Sequence, residues 1–137
     1  MLHSRILTEE CLEDPDPAVC DVALELMQTE WQPTPQAAKV AEKRMKDVDP
    51  RIRRIALSVV SKFYQSNNPG DLRIRSAFAR VVADEHEDSE NRFVAYQELC
   101  DLCGLRVERW PIMHCFPEEF EPNRDVDWEF VRSFLEL

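Results

Sequence analysis

Three stretches of the chain are versions of one another: Asp16-Pro17-Ala18-Val19-Cys20-Asp21-Val22-Ala23-Leu24, Asp49-Pro50-Arg51-Ile52-Arg53-Arg54-Ile55-Ala56-Leu57 and Asp88-Ser89-Glu90-Asn91-Arg92-Phe93-Val94-Ala95-Tyr96. In each, an Asp stands seven residues before an Ala, and Ala23, Ala56 and Ala95 are spaced by 33 and 39 residues. A helix pair with its turns uses about that length and cannot bury its apolar face alone, so such periods predict stacked helical hairpins.

Each unit carries its own start signal. Asp49 is an N-cap whose carboxylate accepts from first-turn backbone N–H groups, and Pro50 takes the first helical position, where a missing N–H costs nothing. Ile52, Ile55, Ala56, Val59 and Phe63 then fall on one helix face. Asp16-Pro17 and Thr34-Pro35 repeat the signature, and Asp88-Ser89 repeats it without proline. Between these helices, Ala38, Ala41 and Met45 share a face, as do Ile74, Phe78, Val81 and Val82 after the turn residues Asn67-Asn68-Pro69-Gly70. Six helices are therefore expected in order: about 3–12 with 17–29, 35–46 with 50–65, and 71–86 with 89–103. Gly104 suits a left-handed cap after the sixth, with Leu105 making the apolar contact beyond it. Residues 104–124 carry Pro111, Pro117 and Pro122 among Trp110, Ile112, Met113, Phe116 and Phe120, and are expected to wrap the last pair as an extended stretch. Asp127 then caps a closing helix over 127–136, through Trp128, Val131, Phe134 and Leu135, which covers the end of the stack. Strand signals are nearly absent. The expectation is one all-α domain over 1–137, in hairpins about 3–29, 35–65 and 71–103.

The second copy, with Asp49-Pro50, Ile52-Arg53 and Ala56-Leu57, resembles the second helices of the HEAT-repeat family. The third copy keeps Asp88, Arg92 and Ala95 but has Asn91 for the apolar residue; the first keeps Asp16, Pro17, Val19 and Ala23 but has Cys20 for Arg. The ending, Asp125-Val126-Asp127-Trp128 through Phe134-Leu135, looks like that of small bacterial HEAT-like proteins. The resemblance covers about residues 3–104. It implies a short right-handed superhelix used for binding, in which Arg53 and Arg92 pair with an Asp of a neighbouring repeat and hold the register.

Two glycines in the whole chain, Gly70 and Gly104, nearly exclude the common nucleotide-dependent enzymes, whose phosphate loops need closely approaching backbone amides. No apolar run approaches the ~20 residues of a membrane span, and the N-terminus lacks a signal peptide's apolar core. Five irregularly spaced cysteines point to a reducing cytoplasm.

The net charge of -10 is unevenly laid out. Residues 1–32 hold eight acids and one base, 33–83 four acids and eleven bases, and 84–137 fifteen acids and five bases. Pairing between the basic middle and the acidic ends is one reading. A second makes the acidic surface a partner site: Asp84, Glu85, Glu87, Asp88 and Glu90 at one turn, with Glu118, Glu119 and Glu121 in the wrap. A field of that sign steers a basic protein, such as an enzyme with a cationic cleft that acts on nucleic acid. A third uses the basic middle, Lys43, Arg44, Arg53 and Arg54, for nucleic acid, as HEAT-like DNA glycosylases do. The overall negative charge and the absence of interleaved aromatic residues weigh against it.

Candidate chemistry is thin. Cys100, Cys103, His114 and Cys115 could close a zinc site, but i and i+3 cysteines beside Leu99 and Leu102 are also one buried helix face. His86-Glu87 lacks the second histidine of a metalloprotease motif, residue 90 being Glu. Asp47-Val48-Asp49 and Asp125-Val126-Asp127 resemble metal carboxylates but read more simply as helix caps. Trp31, ending a helix beside Gln32-Pro33, is the tryptophan best placed for exposure. These readings converge on a non-catalytic, cofactor-free, cytoplasmic protein-binding module. Its most concrete form is an acidic inhibitor or immunity-type protein that neutralises a basic toxin. Nucleic-acid binding and a small zinc scaffold are the alternatives.

Overall fold

The computed structural model describes residues 10–12, 14–105 and 117–136. Among these the regular elements are helices: α1 (Pro17–Thr29), α2 (Pro35–Arg44), α3 (Pro50–Asn67), α4 (Leu72–Ala83), α5 (Ser89–Leu102), a 3-10 turn (Pro117–Glu119), α6 (Pro122–Asp125) and α7 (Trp128–Leu135). Of the helix expected over 3–12, Glu10 and Cys11 are helical and residues 3–9 lie outside the described part. None of the described helices is long and apolar enough to cross a membrane. The chain divides into two compact units, Met1–Ser66 and Asn67–Leu137.

The caps explain where the helices of the first unit begin. Asp16 accepts from the Ala18 amide at 3.0 Å, Thr34 from Ala37 at 3.1 Å and Asp49 from Arg51 at 2.9 Å. Each satisfies a donor that has no partner inside its helix, and Pro17, Pro35 and Pro50 each open a helix. α1 packs on α2 through small residues. Ala23 on α1 and Ala37, Ala38 and Ala41 on α2 are buried, as are Leu24 and Met27. On α3, Ile52, Ala56, Val59 and Val60 are buried at helical spacing. The Lys62 ammonium ties α3 to the end of α1 by donating to the Gln28 and Trp31 carbonyls at 3.1 and 3.0 Å. A cation there also meets the negative end of the helix dipole. Tyr64 on α3 donates to the Glu42 carboxylate of α2 at 2.9 Å.

In the second unit α4 packs on both α5 and α7. Ile74, Phe78 and Val82 of α4 meet Ala95, Tyr96 and Leu99 of α5 and Val131 of α7 in a core where each is at most 1% exposed. Each large apolar side chain so buried contributes about 1.5–3 kcal/mol. The α4–α5 pair is closed at both ends by arginine. Arg75, in the first turn of α4, donates to the Leu102 carbonyl that ends α5 at 2.8 Å. Arg92, in the first turn of α5, donates to the Val82 carbonyl near the end of α4 at 2.8 Å. Each helix start thus satisfies a last-turn carbonyl of its partner.

Among the described residues Arg92 does not make the pairing with an Asp of a neighbouring repeat that the resemblance implies. Arg92 meets a carbonyl within its own pair. Arg53 donates to the Asp47 and Val48 carbonyls at 2.7 and 3.2 Å, bracing the loop just before its own helix. The wrap also differs from an extended stretch where it is described. Residues 117–125 coil into the 3-10 turn and α6, each opened by a proline whose fixed φ suits a first turn. Residues 106–116 of the wrap lie outside the described part.

Candidate functional site

The residues that join α4 to α5 form the acidic turn. α4 stops at Ala83 rather than continuing to 86, because Asp84 leaves the helix and its carboxylate accepts from the His86 amide at 2.9 Å. Glu87 is half-buried and accepts from the Asp88 amide at 2.8 Å and from the buried Asn91 side chain at 3.3 Å. Glu87 is thus a brace for the start of α5. Asp88 stands at the N-cap position without a side-chain capping hydrogen bond. Asp84, Glu85, Asp88 and Glu90 are exposed.

The acidic part of the wrap comes to the same unit. Phe120 lies between Glu119 and Glu121 and meets Phe93 edge-on at 5.4 Å, with both rings 5% exposed. Phe93 is three residues past Glu90 on α5, so this contact anchors Glu118, Glu119 and Glu121 to the helix that the acidic turn begins. The segment is held stiffly. The buried Asp125 carboxylate accepts from the Glu121 amide at 2.8 Å and from Arg124 Nε at 2.8 Å, and Arg124 Nη2 reaches the Glu119 carbonyl at 2.7 Å. Glu118, Glu119 and Glu121 remain exposed. Trp31 belongs to the first unit, is half-buried, and sits where Lys62 caps α1.

Two of the basic candidates of the first unit, Arg44 and Arg53, hold structure together, while Lys43 is exposed. Arg44 pairs with Asp47 at 3.1 Å and stands 3.9 Å from Asp21, and Arg53 is spent on carbonyls as described. Lys43, Arg44 and Lys46 do line a cleft of about 450 Å³, together with Asp14 and Asp47. The Asp-Val-Asp pairs resolve into structural roles. Asp49 and Asp127 cap α3 and α7, while Asp47 holds Arg44 and the Asp49 amide, and Asp125 closes α6. Cys100 is buried and burial pushes its thiol up to about 12; burial raises Cys103 as well. His114 and Cys115 lie outside the described residues. Among the described residues no group of three or more His, Cys, Asp or Glu is placed to hold a metal.

One feature escaped sequence reasoning. A cleft of about 470 Å³ opens in the second unit beside the acidic turn. Arg92 from α5, Arg132 and Trp128 from α7, and Glu85 from the turn form its functional wall. Ala83, Pro122 and Leu135 supply apolar lining, with the Asn123 amide among them. Arg92 and Arg132 are 40 residues apart in the chain, and no spacing rule joins them. Comparison with protein-family models, curated proteins and solved structures found no match for this chain.

Proposed function

We propose that this protein is a non-catalytic binding module whose second unit docks a basic protein through Asp84, Glu85, Asp88, Glu90, Glu118, Glu119 and Glu121. The concrete form is a cytoplasmic inhibitor or immunity-type protein that neutralises a basic toxin, a nuclease being the chemistry that fits. The supporting observation is the Phe93–Phe120 contact, which gathers two acidic segments from distant parts of the chain onto one unit while leaving their carboxylates exposed. Sixteen acids and eight bases fall in residues 67–137, a net of -8, so the field of that unit favours a cationic partner. For the whole architecture we propose the HEAT-like right-handed superhelix of hairpins. The α4–α5 pair, one of the expected hairpins, supports it, and a crystal structure of the chain tests it.

The functional experiment is affinity capture from the source cells with the wild-type chain and with E85Q/E90Q/E118Q/E119Q. The reading requires a captured basic protein that elutes as salt rises and is lost from the variant. The isolated partner must then lose its toxic activity when the wild-type chain is added. Capture that ignores both salt and the four substitutions overturns the reading. Duplex DNA at low salt should give no mobility shift; a shift would favour the basic helices of the first unit instead.

A further inference from the structure

The cleft between α5, α7 and the α4–α5 turn has the wrong sign for the basic partner proposed above. Two of its walls are guanidinium groups in a chain with ten more acids than bases. Arg92 is half-buried and fixed by its Nε–H bond to the Val82 carbonyl at 2.8 Å. That bond uses one of five N–H donors and orients the rest of the fork. Its terminal nitrogens have no carboxylate partner among the described residues, and Arg132 makes no hydrogen bond or ion pair there either. An excess of acids would pair most arginines by proximity alone. Two that share one cleft and keep donors unused are arranged for something else.

The rest of the lining narrows what that is. The Trp128 indole is pinned by its Nε1–H bond to the Pro122 carbonyl at 3.0 Å, which spends its only polar atom. What it offers a ligand is apolar ring surface, continued by Leu135, Pro122 and Ala83. Glu85 stands in the same wall and has no partner among the described residues. Two cations and one anion leave a net of one positive charge. That favours a monoanion and works against a phosphate dianion or a polyanion. A volume of about 470 Å³ lies within the range of small-molecule clefts.

We propose that this cleft binds a small organic acid with one carboxylate and an apolar ring or chain. The carboxylate sits between Arg92 and Arg132, where the planar forks match its two oxygens. The apolar part lies against Trp128 and Leu135. The site is independent of the acidic surface in sign, though Glu85 belongs to both, and this makes the two proposals separable. Removing the Glu85 charge should weaken a basic partner and strengthen an organic acid.

The test is a two-dimensional amide NMR titration of the full chain with N-acetylphenylalanine, its uncharged amide, and inorganic phosphate. The acid should shift amides around Arg92, Trp128 and Arg132 and bind roughly tenfold more tightly than the amide. Arg132→Gln, an exposed change that leaves the core alone, should weaken the acid about five- to tenfold. Glu85→Gln should tighten it about two- to fivefold, by removal of a nearby like charge. Equal binding of acid and amide, phosphate binding as tightly as the acid, an unaffected Arg132→Gln variant, or no shifts at about 10 mM would each overturn the proposal.

Discussion

Single residues in this chain are decided by what their polar atoms meet. Asp21 is the clearest case of a cost. Its Oδ1 is buried without a hydrogen bond, and the Arg44 Nε at 3.9 Å is too far to supply one. Burial, then the nearby Asp47 and Asp49 carboxylates, raise its pKa against the opposing pull of Arg44 and Arg51. A carboxyl whose folded pKa is raised binds its proton more tightly in the folded chain. Its ionisation therefore lowers stability as pH rises through the window above 3.8. Asp21→Asn should raise the thermal midpoint at pH 7, and the gain should vanish below pH 3.8, where both chains are uncharged at this position. Tyr96 is the opposite, a buried hydroxyl in use. It accepts from the Asp127 amide at 3.1 Å, where α7 begins, and burial pushes its pKa up to about 12. Tyr96→Phe leaves that amide unpaired and should cost about 1 kcal/mol in denaturant unfolding at pH 7. Above pH 10 the wild type alone loses stability through this group, since the unfolded phenol ionises before the folded one, so the gap between the two should narrow. Asp16, Asp49 and the repeated, buried Ala residues were legible because caps and close helix crossings act locally, while Asp88 holds the cap position without the capping bond. The tasks of Asp47, Asp125, Arg53 and Arg92 were not, because each is set by a carbonyl, amide or guanidinium that only the folded loop brings near.

At the scale of elements, what the sequence could and could not show follows from the range of the interaction. Helix starts were readable from Asp16-Pro17, Thr34-Pro35 and Asp49-Pro50, whose side chains cap the helices as expected, whereas Asp88 makes no capping hydrogen bond, and Asp71 caps α4 without having been read as a cap. Helix ends were less so. α2 stops at Arg44 and α4 at Ala83, short of the expected 46 and 86, where Asp47 and Asp84 draw the chain into turns. The end of α5 is the exception. Gly104 has φ +70°, its amide donates to the Asp101 carbonyl at 3.0 Å, and the Leu105 amide reaches the Cys100 carbonyl at 3.1 Å. This is the Schellman pattern, and its glycine signal was visible in the sequence. A Cβ at position 104 would meet nothing within 4 Å, so substitution there is a test of backbone conformation alone. Gly104→Ala should destabilise the chain by about 1 kcal/mol, and Gly104→Asn by less, because Asn tolerates the left-handed region. Equal midpoints for wild type and Gly104→Ala in urea unfolding would contradict the assignment. The acidic turn was readable as a charge run. The Arg92–Arg132 cleft was not, because it joins two helices whose packing no periodicity encodes.

For the whole molecule, the division into two units changes the meaning of the net charge. The first unit, with eleven acids and nine bases, is close to balanced at -2, while the second carries -8. The basic middle layer read from the sequence spans the boundary. Its α2 and α3 cations fall with the acids of α1, and only Arg73, Arg75 and Arg80 join the acidic half. Self-repulsion should therefore be concentrated in residues 67–137. Salt screens it, the Debye length falling from about 30 Å at 0.01 M to about 3 Å at 1 M. In the balanced unit, screening weakens attractive pairs such as Arg44–Asp47 about as much as repulsive ones. Hydrogen exchange of the intact chain, resolved by segment, distinguishes the two. As sodium chloride rises across that range, amides of α4 and α5 should gain protection, while those of α1, α2 and α3 should change little or lose some. A uniform gain along the chain would mean that salt acts through general apolar burial instead. A loss confined to α4 and α5 would mean that the -8 is neutralised locally, and the acidic surface would then have no excess field with which to steer a basic partner.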